Sequence, residues 1–182
     1  MSDIHQVEDL ITLFNGQFAA SFNTRLVRGE HEPLYLPANS HTPYHQVIFA
    51  HGYYASALHE IAHWCLAGAK RRELEDYGYW YCPDGRDAVQ QAEFEKVEIK
   101  PQAIEWGLCA AAGKAFRVST DNLNGVEPDR AAFSRAVQAQ ALSYLANGFP
   151  PRARQFMQCL QQFYATPILS PANFTLEPAH VL

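Results

Sequence analysis

His59, Glu60 and His63, in the stretch "HEIAHW", are the residues best suited by type and spacing to do chemistry. Histidines four apart stand one above the other on a single face of an α-helix, so both imidazoles can be directed at one point beside it. That arrangement can hold a metal ion. Where the metal is zinc and the reaction a hydrolysis, the glutamate beside the first histidine is the proton acceptor. The same letters also serve a redox metal, for which two histidines and one carboxylate leave coordination positions open and Glu60 need not carry a proton. Glu60 is therefore the candidate catalytic residue, its role open between two chemistries.

Two imidazoles alone do not make a catalytic metal site, and a third ligand is required. The extended peptidase motif HExxHxxGxxH is excluded, because Leu66 and Ala69 stand where its glycine and last histidine belong. The three-histidine spacing of rRNA-maturation endoribonucleases fails at Ala69 as well. A carboxylate from "EFEKVEIKPQAIEW" is the natural third ligand, and Glu98, flanked by Val97 and Ile99, is favoured over Glu105 because a carboxylate in an apolar stretch needs a partner. Gln102 and Glu105 follow Glu98 on the same helical face, where they can support the ligands or face the substrate. His51, at the end of an apolar run, could approach the metal but suits a turn equally well; His5, His31, His41, His45 and His180 lie in termini or polar loops and receive no role.

These residues need elements to position them. Ile4, Val7, Leu10, Ile11, Phe14 and Phe18 recur at helical spacing and predict an amphipathic helix over residues 3–22. "TRLVRG", "PLYLPA" and "HQVIFAHG" are short β-prone runs bounded by Gly, Pro and Asn. A helix is expected from a Ser56 cap to a Gly68 stop. Asp87 and Gln90 form the pattern of a capping box, with Pro101 expected to interrupt the helix that follows. "YGYWY" and "FRVST" are expected to be strand-like. A strong helix follows Pro128 and ends at Gly148, and a last helix carries Phe156, Leu160, Phe163 and Tyr164 as a core stripe. The order implies an α/β (α+β) fold, a small mixed sheet flanked by helices with the histidines on a central helix, in a single domain over residues 1–182.

Composition narrows the function classes. The chain has 182 residues, 18% of them charged, and a net charge of −5, which argues against a nucleic-acid partner. The tight basic cluster Lys70-Arg71-Arg72 falls just past a predicted helix end, where cations offset the helix dipole. No apolar run nears the ~20 residues that a membrane span needs, and no signal-peptide pattern opens the chain. The four cysteines lack metal or disulfide spacing, so a cytoplasmic protein with free thiols is expected.

"VIFAHGYYASALHEIAHWCLAG", "DYGYWYCPDGRDAVQQAEFEKVEIKPQA" and "DNLNGVEPDRAAF" together resemble the elongation factor P hydroxylase family, and the likeness extends over essentially the whole chain. The resemblance implies hydroxylation of the β-lysylated lysine of elongation factor P, the protein substrate, and a fold similar to the metal-dependent rRNA-maturation endoribonucleases. It implies a metal site of His59, His63 and Glu98. Attack on an unactivated C–H bond needs a redox metal and O₂, so the implied cofactor is Fe(II), although zinc or another divalent metal could fill the same ligands. The alternative is a zinc metallohydrolase, peptidase-like, with Glu60 as general base. A lysine-derived arm would suit aromatic walls and carboxylates, and Tyr79, Trp80, Tyr81 and Asp84, with Gln102 and Glu105, are the candidate substrate-binding residues.

Overall fold

The computed structural model describes residues 3–76, 85–120 and 129–177. It is a mixed α/β arrangement of five α-helices and a three-stranded sheet. Helix α1 (Val7–Phe22) is followed by strands β1 (Thr24–Arg28), β2 (Leu34–Leu36) and β3 (His45–Phe49), then by α2 (Tyr54–Leu66), α3 (Ala88–Ala111), α4 (Arg130–Asn147) and α5 (Pro151–Tyr164). Strand β3 is central, pairing parallel with β1 and antiparallel with β2. Its apolar side chains Val47 and Phe49 are buried at alternate positions, as a strand with helices on its covered face requires.

Helix α1 buries Val7, Leu10, Phe14 and Phe18, whereas Ile4 lies before the helix and is exposed. Phe14 and Phe18 place their rings 5.1 and 4.8 Å from that of Trp64, and Phe156 of α5 completes the cluster. These aromatic contacts pack α2 against α1 and α5.

Helix α3 is the buried axis of the molecule. Residues 101–109 are buried at every position, and the helix packs against α2, α4 and α5. It begins with the expected capping box, the Asp87 side chain accepting from the Gln90 backbone and the Gln90 side chain from the Asp87 backbone. The expected break at Pro101 does not occur: the helix runs through it without interruption. A mid-helix proline costs about 3 kcal/mol, and burial of the following turns on all sides offsets that cost. Gly107 lets Phe149 approach the helix closely, since a Cβ there would meet its ring at 2.8 Å.

Four other expectations are corrected. Helix α2 starts at Tyr54 with Tyr53 as an N-cap that makes no side-chain cap, so Ser56 lies inside the helix. The helix ends at Ala67 in extended conformation, so Gly68 supplies no left-handed stop. Residues 116–120 form no strand, and Phe163 is 49% exposed, outside the core stripe of Phe156 and Leu160. The expected "YGYWY" strand lies outside the described residues. Among those described, no helix is long and apolar enough to cross a membrane.

Candidate metal centre

The turn between β3 and α2 sets the histidines in place. His51 and Gly52 both adopt left-handed backbone, φ 60° and 68°, and the His51 amide donates to the Glu30 carbonyl. His51 is thus an exposed turn residue and not part of the site. Two residues later α2 begins, and its second and third turns aim His59 and His63 at α3. At the other end of α2, Arg152 of α5 donates to the Trp64 and Ala67 carbonyls and Arg72 donates to Ala67, so two guanidiniums satisfy carbonyls that a helix end leaves over. Arg72 fulfils the role expected of the basic cluster; Arg152 carried no recognisable signal in the sequence.

Opposite α2, helix α3 presents Glu98, Gln102 and Glu105 on one buried face. Single ligand atoms of His59, His63 and Glu98 lie within 4.8 Å of one another. His63 Nε2 is 3.1 Å from His59 Nε2 and 3.1 Å from Glu98 Oε1, and His59 Nε2 is 3.7 Å from the same oxygen. Ligands about 2.1 Å from an ion stand about 3.0 Å apart at a right angle and about 3.4 Å apart at the tetrahedral angle. The spacing therefore fits a single transition-metal ion.

The surroundings fit as well. Glu105 Oε1 lies 2.5 Å from His59 Nδ1, which assigns the proton to Nδ1 and leaves Nε2 to face the other ligands. Gln102 Nε2 donates to Glu98 Oε2 at 3.0 Å and to the Ser119 carbonyl, and its own Oε1 accepts from the Ser119 amide. A loop residue with no helical signature thus fixes Gln102, which in turn fixes Glu98. Gln102 and Glu105 are both engaged by these neighbours. Tyr79, Trp80, Tyr81 and Asp84 lie outside the described residues.

Burial opposes a charge on His59, but the Glu98 and Glu105 carboxylates outweigh it and raise its pKa to about 10. Burial would raise Glu98, yet the His63 and His59 imidazoles and the Gln102 hydrogen bond hold it down at about 2. Burial pushes Glu60 above the ordinary carboxylate range, against the pull of His59 and His63. Cys65 is pushed to about 12 by burial, so it stays a protonated core thiol near the site.

A metal ion needs His59 deprotonated, and this gives a pH prediction. The raised pKa means that the His59 charge stabilises the metal-free protein fully below the imidazole's ordinary value of 6.5, and that this stability is lost as pH rises through about 10. Metal binding between those limits should release one proton from His59, so its affinity should rise about tenfold per pH unit from this group. Calorimetry of zinc binding in buffers of different ionisation enthalpy measures the number released; none at pH 8 would show that the carboxylates do not hold that proton.

A cavity of about 350 Å³ adjoins the triad. Glu60, His63, Trp64 and Ala67 of α2 form one wall, Leu34, Tyr35 and Val47 of the sheet another, and Val97 and Pro101 of α3 a third. Neither Gln102 nor Glu105 is among the described residues that line it.

The chain matches the family described as elongation factor P hydroxylase over residues 13–174. It is 53% identical over 162 residues to the elongation factor P lysine hydroxylase of Haemophilus influenzae, an overlap of 89% of this chain and 91% of that protein. With a family match across most of its length and a relative this similar, the chain belongs to the elongation factor P hydroxylase family.

Proposed function

We propose that this chain is a single-domain, non-haem iron monooxygenase that hydroxylates the β-lysylated lysine of elongation factor P. The observation that carries the reading is the convergence of His59, His63 and Glu98 in a chain of this family. The name of the Haemophilus influenzae relative supports the substrate. On this reading His59, His63 and Glu98 hold Fe(II), which together with O₂ supplies the oxidation of an unactivated C–H bond that no side chain can perform. A three-ligand set leaves coordination positions for that purpose. The likeness to rRNA-maturation endoribonucleases is part of the same proposal, and rests on the resemblance read from the sequence.

The protein's own residues have defined tasks. Glu105 keeps the His59 proton on Nδ1 and so keeps Nε2 available. Gln102 orients the Glu98 carboxylate through its second oxygen. Val47, Trp64, Val97 and Pro101 give the adjoining cavity apolar walls that limit water next to the reacting centre.

The test is to incubate anaerobically purified protein with Fe(II), O₂, a reductant and β-lysylated elongation factor P, and to weigh the factor. A gain of one oxygen atom is expected. No gain with iron, together with peptide cleavage when zinc is supplied, would replace this reading with the zinc hydrolase in which Glu60 is the base.

A further inference from the structure

We propose that the cavity beside the triad receives the lysine-derived arm, and that Glu60 is the specificity-determining residue that binds its ammonium group. The proposal rests on the hydroxylase reading and assigns that substrate a place. The cavity has the size at which ligand pockets begin, about 300 Å³, and its walls are of two kinds. Leu34, Val47, Val97 and Pro101 offer an apolar surface for methylene groups, while the charged groups stand apart, on α2 and in the segment that follows it. Glu60 and His63 lie at one end; Ala67, Gly68, Arg71, Arg72 and Asp76 lie at the other. From Glu60 to Ala67 the helix rises about 10 Å. The exposed residues Leu66, Gly68, Arg71 and Val97 border the opening.

Charge gives the arm its direction. At the far end Arg71 Nε is paired with Asp76 Oδ2 at 2.8 Å, and the Arg72 guanidinium sits on the Ala67 carbonyl. Among the described residues that line this end, two guanidiniums stand against one carboxylate, which disfavours an ammonium there. At the metal end, a divalent ion held by His59, His63 and Glu98 would be balanced by two carboxylates, Glu98 and the Glu105 that contacts His59. Glu60 then adds one further negative charge facing the cavity, and no described residue donates a hydrogen bond to it. A carboxylate in such surroundings is stabilised by a cation. The ammonium of an aliphatic arm supplies one, and its methylenes would then lie beside His63, where the reaction takes place. Glu60 is thus assigned to the substrate and not to a proton transfer.

The experiment measures binding and turnover separately. β-Lysylated elongation factor P is titrated into the zinc-loaded protein, wild type and E60Q, and then into both again after its amines have been acetylated. Steady-state hydroxylation is measured with the iron-loaded forms. E60Q should raise Kd and KM about 10- to 100-fold, the range for a lost hydrogen bond between charged groups, with kcat within about threefold and the metal content unchanged. Acetylation should weaken wild-type binding by the same factor and E60Q binding no further. An unchanged Kd with a collapsed kcat would overturn the proposal, since Glu60 would then act on a proton. So would an acetylation penalty equal in both proteins. Val97→Trp, at a position 41% exposed, should fold normally and weaken binding at least tenfold by filling the cavity; wild-type binding by this variant would put the arm elsewhere. If the wild type itself adds no oxygen, the hydroxylase reading falls first and this one with it, whatever the variants bind.

Discussion

Glu98→Gln should abolish metal retention while leaving a folded protein. The substitution keeps the shape of the side chain and leaves an oxygen that can accept from Gln102, so the link to Ser119 persists. What it removes is the carboxylate charge that stands closest to both imidazole Nε2 atoms among the described residues, at 3.1 Å from His63 Nε2 and 3.7 Å from His59 Nε2. Breaking a buried charge pair by removing one partner costs about 3–5 kcal/mol, which is roughly 10²- to 10³-fold or more in affinity. Metal content after dialysis should fall from one ion per chain to near zero, and hydroxylation by at least about 1,000-fold, with far-ultraviolet circular dichroism unchanged. If Glu98→Gln keeps a full complement of metal, the third ligand is another group and the triad is wrong.

The second large effect lies away from the site. Phe18→Ala should destabilise the protein by about 3–5 kcal/mol, the range for truncating a buried aromatic ring. Phe18 is fully buried, and its ring meets those of Phe14, Phe22, Trp64 and Phe156. No neighbour can collapse into the space without leaving another ring behind. For a chain of this length the loss corresponds to a fall in Tm of about 6–20 °C. Trp64 is the next residue after His63, so slackness behind the helix reaches the imidazoles directly. The metal-loaded variant should recover part of the loss, because an ion that binds only the folded state adds stability by mass action. A thermal melt within about 2 °C of the wild type would show that the aromatic cluster is not what holds α2 in place.

How much of this could be read from the letters depended on the range of each interaction. The capping box at Asp87 and the spacing of Val7, Leu10, Phe14 and Phe18 are local, and both appear in the structure as expected. The three strands were legible too, because each is a short β-prone run between turn residues. Pro101 misled, since a local rule about prolines knows nothing of the packing that surrounds residues 101–109. At the site, the pairing of His59 with His63 is a matter of helical spacing, and so is the shared face of Glu98, Gln102 and Glu105. That Glu105 meets His59 Nδ1 whereas Glu98 meets Nε2 depends on how α2 lies against α3, which no local pattern encodes. Nothing in the sequence ties Ser119, Arg152 or the cavity residues Tyr35, Arg71 and Asp76 to the histidines, and only tertiary structure brings them to the site.

The left-handed pair His51–Gly52 has a consequence for how this site tolerates change. Strand β3 is held in register on both sides and α2 follows within a few residues, so the length of the turn sets the rotational phase of the helix. One residue added there would turn α2 by about 100° about its own axis and swing the imidazoles away from Glu98. A residue added to the connection between β2 and β3 would merely lengthen a loop. The site is therefore indexed by the length of one short turn, much as a key is indexed by the first notch on its blade. Gly52 guards that index: its φ of 68° is a backbone conformation that residues with a side chain rarely adopt.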